Sequence, residues 1–189
     1  MEHFYQDIGE DWFTFGDIYK EMIQKFGSNS HFVEIGSWKG RSSVFMGVEI
    51  INSGYSIKFD CVDTWEGSVE HVEYEIIKKS ELYDEFIKNI SSVSSVINPL
   101  RMSSLDAVNL YEDESLDFVF IDASHEYEDV KLDILKWLPK VKIGGVIAGH
   151  DYQTFDGVTK AVNELFNIND IEISEYCWIH KKKTMEKFY

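Results

Sequence analysis

The sequence predicts an α/β fold: a doubly wound, mostly parallel sheet of seven strands that closes with a C-terminal antiparallel hairpin. Three observations carry this expectation. Strand-like apolar runs alternate with helix-like segments along most of the chain. The runs 118–121 and 146–148 are continuously apolar, which suits strands covered on both faces. The last two strand-like runs, near 170–176 and over 177–181, have no helix between them, so one of the two should run against the rest.

Taken in order, residues 11–27 place Trp12, Phe15, Ile18, Tyr19, Met22, Ile23 and Phe26 on one helical face, ended by Gly27 and Ser28. A strand over 32–35 leads into a helix over 41–51, with Val44, Phe45, Val48 and Ile51 turned inward. A second strand covers 56–62. Residues 64–94 are rich in acids, among them Glu66, Glu70, Glu73, Glu81 and Asp84, with a helix expected from Glu73 to Ile90. This insert reads either as a lid over the substrate or as a solvated helix. Segment 95–101 is a third strand, weakened by Pro99. A helix (104–112), strand (116–121), helix (126–138), strand (143–149) and helix (156–166) complete the alternation.

Composition narrows the class. At 189 residues, with 44% hydrophobic content and only two prolines, the chain reads as one domain over 1–189, its first 28 residues a helical preface. A net charge of −16 opposes phosphate backbones and anionic membranes, so nucleic acid and membrane are not expected partners. The N-terminus lacks the basic-then-apolar pattern of a signal peptide. Cys61 and Cys177 read as unpaired thiols in a reducing, cytoplasmic compartment. Association with a second copy of the chain is left open.

Four strand ends carry the polar residues. They are Glu34-Ile-Gly36 within 31–40, Asp63 after 59–62, Asp122 to His125 after 118–121, and His150-Asp151 after 144–149. Ligands of an open parallel sheet bind beyond the carboxyl ends of its strands, so these residues should line one crevice. Gly36 and Gly40 flank a strand-to-helix turn where backbone can approach a ligand closely. Their spacing is G-x-x-x-G, so the dinucleotide fingerprint G-x-G-x-x-G is absent. An acid ending the second strand, here Asp63, commonly accepts hydrogen bonds from ribose hydroxyls. Turn and acid together favour a nucleoside-containing cofactor.

Cys-Val-Asp-Thr-Trp-Glu-Gly (61–67), Ile-Asp-Ala-Ser-His-Glu-Tyr (121–127) and Gly-Gly-Val-Ile-Ala-Gly-His-Asp-Tyr (144–152) add a resemblance. Over about residues 30–166 the chain resembles class I S-adenosylmethionine-dependent methyltransferases. Within them it is similar to the small-molecule and sugar O-methyltransferases related to catechol O-methyltransferase. The resemblance implies a Rossmann-like sheet, S-adenosylmethionine as cofactor, and methyl transfer to a hydroxyl of a small molecule, a sugar or glycan among them. By position it assigns Glu34, Gly36, Ser37, Gly40 and Ser42 to the methionine and ribose, Asp63 to the ribose diol, and Ser103, Ser104 and Leu105 to the adenine.

In such relatives an Asp after the fourth strand and two polar residues after the fifth hold a divalent metal, magnesium or manganese; here these are Asp122, His150 and Asp151. The chain departs from the pattern at His150, where relatives carry a carboxylate. Imidazole suits manganese, iron or zinc better than magnesium, so either the metal differs or His150 is not a ligand. Without a metal, Asp122 and Asp151 would orient substrate or helix termini. His125 stands where the catechol enzyme carries its base; the bland alternative is a cap on the next helix. Trp65 and Tyr74 would stack on a sugar or aromatic ring, or else fill the core.

Two rival functions share the sheet plan. A nicotinamide-dependent oxidoreductase is opposed by the missing fingerprint. A non-catalytic module that keeps the fold for binding is opposed by the polar residues at four strand ends.

Overall fold

The computed structural model describes residues 1–68 and 74–184. Its seven strands are β1 (Ser30–Ile35), β2 (Ile57–Asp63), β3 (Ile97–Arg101), β4 (Leu116–Ile121), β5 (Val141–Gly149), β6 (Ile171–Ser174) and β7 (Cys177–Lys181). They form one sheet in the order β3-β2-β1-β4-β5-β7-β6. The pairs among β1 to β5 are parallel. The hairpin expectation resolves in a specific way: β7 inserts between β5 and β6 and pairs antiparallel with both. Strand order reverses between β1 and β4, which puts the switch point beside the polar strand ends.

Side-chain alternation sends successive residues to opposite faces. Phe32, Phe118, Phe120, Val146 and Ala148 pack on one side, under α1 (Gly16–Phe26), α2 (Arg41–Ser53) and α4 (Leu82–Asn89). Val33, Ile35, Val119, Ile121 and Ile147 pack on the other, under α6 (Tyr127–Trp137) and α7 (Asp156–Leu165). Pro99 is tolerated because β3 is an edge strand whose only ladder partner is β2.

Three expectations need correction. The first helix starts at Gly16, not residue 11. Residues 10–15 instead run along the sheet's polar end, where Phe13 and Phe15 join an aromatic cluster with Tyr19 and Phe45 and Trp12 stays 49% exposed. In the acidic insert, Glu70 and Glu73 lie outside the described residues, and the single long helix is replaced by two short ones, α3 (Glu75–Lys78) and α4. The break falls at Ser80, held at φ 56, where its N–H closes on the Ile77 carbonyl. Leu82 and Phe86 bury one face of α4 in the core, followed by Ile90, while Asp84, Ile87 and Lys88 face outward. The helix expected over 104–112 is α5 (Ser104–Ala107), continued by a 3₁₀ turn over Val108–Leu110.

Candidate active site

A cavity of about 1000 Å³ opens above the carboxyl ends of β1, β2, β4 and β5. It is lined by Gly36, Ser37, Ser42, Asp63, Ser104, Asp122, His125, His150 and Asp151, so nine of the predicted site residues converge there. Glu34 and Gly40 do not line it. Glu34 is buried beneath, accepting from Tyr19 Oη at 2.8 Å and from Ser43 Oγ; burial raises its pKa against those donors. Gly40, at φ +87, leaves room for Phe86 of α4 and for Ile90 just after it.

The turn after β1 is built around Asp63. One carboxylate oxygen accepts the N–H of Ser37 and of Trp38, both at 2.9 Å. The other accepts from Trp65 N at 2.7 Å. Burial raises the Asp63 pKa against these backbone donors. Asp63 is therefore a keystone of the turn as well as part of the cavity wall, and three of its roughly four lone-pair sites are taken. Gly36 is needed for a reason beyond ligand approach. A Cβ there would lie 2.1 Å from the Asp122 carbonyl oxygen, so the turn leaving β1 can pass against the end of β4 only as a glycine. Trp65, expected as a stacking candidate, is buried against Phe86 and donates Nε1–H to the Trp38 carbonyl at 2.9 Å, so it belongs to the core.

Above β4 and β5 lies a cluster of acids and imidazoles. Asp122, His125 and Asp151 bring ligand atoms within 4.8 Å of one another. His125 Nε2 is 2.9 Å from Asp151 Oδ2, and its ring stacks on Phe155 at 3.9 Å. His125 thus joins Asp122 and Asp151, and His150, the expected third member of the metal trio, adjoins both carboxylates as well. His150 Nδ1 is 3.4 Å from Asp151 and 3.8 Å from Asp122, while its Nε2 meets Thr14 Oγ1 at 3.0 Å. Asp151 is left-handed, at φ 63, an uncommon conformation for a residue other than glycine. Burial pushes the Asp122 carboxyl up to about 6, the His150 charge opposing and the Asp151 charge adding. Burial would also raise Asp151, but hydrogen bonds to His125 and His150 outweigh it and hold it well below the usual range. For His150 burial lowers the pKa, and the two carboxylates more than reverse that.

Several lining residues carried no readable signal. Thr14, Trp12, Phe155 and Tyr176 come from segments remote in sequence and gather only in the fold. Gly157 had a weak one, as a glycine opening a helix. A Cβ there would sit 2.2 Å from the His125 carbonyl oxygen, so Gly157 lets α7 abut the His125 loop.

A family model described as "Methyltransferase domain" matches residues 33–152. The chain belongs to this methyltransferase family, the one its motifs resemble. An uncharacterized protein, y4gI, of Sinorhizobium fredii (strain NBRC 101917 / NGR234) is 31% identical over 121 residues, covering 63% of this chain; the match spans only 13% of that relative's length. The O-methyltransferase NovP superposes with TM-score 0.69 at 18% identity, covering 89% of this chain and 79% of its own. An O-methyltransferase from Bacillus cereus, solved with S-adenosylhomocysteine, gives 0.62 at 15% identity, covering 94% and 86%. These likenesses establish the Rossmann-like fold. Among the described residues no helix is long and apolar enough to cross a membrane.

Proposed function

We propose that the chain transfers the methyl group of S-adenosylmethionine to a hydroxyl of a small molecule, and that the acceptor is a sugar or glycan. The single observation that carries this reading is the coexistence, in one cavity, of the Gly36–Asp63 turn and the His125–Asp151 pair. The family membership sets aside the nicotinamide alternative.

The residues fit the cofactor. Ser37 Oγ is buried on the cavity wall without a well-formed hydrogen bond, Asp63 keeps acceptor capacity for a ribose hydroxyl, and α2 points its N-terminus at the turn. When bound, the cofactor supplies an activated methyl on a sulfonium. The chain contributes position and a proton acceptor. Holding donor and acceptor at reacting distance can supply roughly 7–11 kcal/mol. Asp151 lies 2.9 Å from Nε2 of His125 and orients the imidazole as the group that takes the hydroxyl proton.

A metal-assisted reading rests on a specific observation, the crowding of Asp122 and Asp151 around His125. Two carboxylates and an imidazole suit manganese better than magnesium. A divalent cation held by these three would lower the pKa of a hydroxyl. His125 cannot be ligand and base at once, so chelation separates the two readings.

The sugar reading is supported by the mouth of the cavity. Trp12 and Tyr74 are 49% and 38% exposed there, offering aromatic faces to a pyranose. The nearby charges are paired within the chain: Lys39 with Glu10 at 2.7 Å, and Arg41 with Asp11. That favours a neutral polyol over an ionic acceptor. The test is transfer of labelled methyl from S-adenosylmethionine to a panel of free sugars, nucleotide sugars and catechols. Labelled catechol with unlabelled sugars would replace the acceptor class; no product from any hydroxyl would remove the reaction.

A further inference from the structure

We propose that Asp133 reads the adenine of the cofactor, its carboxyl accepting an N–H of the exocyclic amine. The inference rests on S-adenosylmethionine occupying this cavity.

Asp133 lies on α6 and is only 6% exposed, yet it lines the cavity where the ends of β3 and β4 form the wall. Its one hydrogen-bond partner among the described residues is Ser104 Oγ, at the start of α5. A buried carboxyl has about four acceptor sites, and leaving them unmet is unfavourable. Most other acids of the cavity are already engaged. Asp63 takes three backbone N–H groups, Asp151 takes His125, Glu10 takes Lys39, and Asp129 takes Ser124 Oγ at 2.8 Å. Asp129 is exposed and can be met by water, and Asp122 belongs to the cluster with His125, His150 and Asp151; on the wall beside the loop after β3, Asp133 is the buried acid with acceptor capacity to spare.

Its surroundings suit a purine, which has two apolar faces and a polar edge. Leu105 and Leu132 line the same wall and remain 41% and 37% exposed, unusually open for leucines beside a buried acid. The loop after β3, where the resemblance puts adenine contacts, offers no other acid to the cavity. Its Asp106 instead accepts from Ser103 Oγ at 2.6 Å and does not line the wall. Burial pushes the Asp133 carboxyl up to about 6, as expected for an acid that lacks a cationic partner.

The test is calorimetry with S-adenosylhomocysteine and S-inosylhomocysteine, in which a carbonyl replaces the amine. A site built around an N–H rejects the analogue that lacks it. Wild-type protein should prefer the adenosyl compound by about 100-fold. Asp133→Leu, close in size, and Asp133→Ala should each reduce that preference below about fivefold. Asp133→Asn, whose amide oxygen still accepts, should keep most of it. A cooperative melt identifies which variants are folded, and any one folded apolar variant suffices. An apolar variant that still discriminates overturns the assignment, as does wild-type protein that binds both compounds alike. Wild-type protein that binds neither overturns the assignment together with the cofactor reading.

Discussion

The two halves of the cavity are built by different means. On the cofactor side, backbone sets the shape: Gly36 lets the turn after β1 pass against the end of β4, and Asp63 gathers three backbone N–H groups into one turn. On the acceptor side, side chains set it. Trp12 and Thr14, Phe155, and Tyr176 arrive from three separate places in the chain and line the cavity with His125, His150 and Asp151. A backbone-built wall tolerates almost no substitution. A side-chain-built wall can change its preference one residue at a time while the sheet stays intact.

The sharpest way to break this contrast is Gly36→Val. A Cβ 2.1 Å from backbone requires the strands to part, and clashes of this kind cost more than ~4 kcal/mol. The variant should lose its cooperative melt, rather than stay folded and merely fail to bind cofactor. A folded Gly36→Val protein would show that the turn is softer than claimed.

His125→Ala comes next. Loss of a general base typically lowers kcat by ~10²–10⁴-fold, with S-adenosylhomocysteine affinity unchanged. Excess chelator supplies the cross-check. Full turnover with chelator leaves His125 as the base, whereas loss restored by manganese moves it to the metal trio.

Asp63→Ala should affect stability and binding together, since it orphans three backbone donors as well as a ribose contact. Each unpaired buried donor costs ~1–3 kcal/mol. A fall in melting temperature with cofactor affinity at least tenfold weaker is expected; weaker binding with an unchanged melt would deny the keystone role.

The buried acids also leave a pH signature. The Asp133 carboxyl sits near 6 in the folded chain, against an ordinary 3.8. Its contribution to stability is therefore complete below about pH 4 and is lost as pH rises through 6. Melts of the cofactor-free protein should fall over that window, and Asp133→Asn should flatten part of the fall. A wild-type curve that rises there instead would contradict the burial of this group.

The smallest effect belongs to the acceptor side. Trp12→Ala should raise the acceptor KM by several-fold, at ~0.5–1.5 kcal/mol for an aromatic face, with cofactor affinity and melt unmoved. A change in cofactor affinity would show that the two halves are not separable.

Legibility in the sequence divides along the same line. Continuous apolar runs ending in Asp63, Asp122 and His150 mark strands and their polar tips because both signals are local. Asp63 can be placed at the cofactor from sequence, but its grip on the turn cannot, since that depends on β1 and β2 lying side by side. The first helix reads too long because Trp12 and Phe15 happen to extend the helical period of Ile18, Tyr19 and Met22. That Asp151 adjoins both His125 and His150 is not legible, because the two imidazoles follow different strands and meet only in the fold. Asp133 looks like one more acid on a solvated helix until Ser104 and the cavity wall appear beside it.

One cavity serving both cofactor and acceptor is the central claim, and a crystal structure with S-adenosylhomocysteine tests it most directly. The ribose should lie against Asp63, with the sulfur directed toward the His125–Asp151 pair. A nucleoside bound away from the Gly36 turn, or a sulfur facing away from His125, would contradict the account.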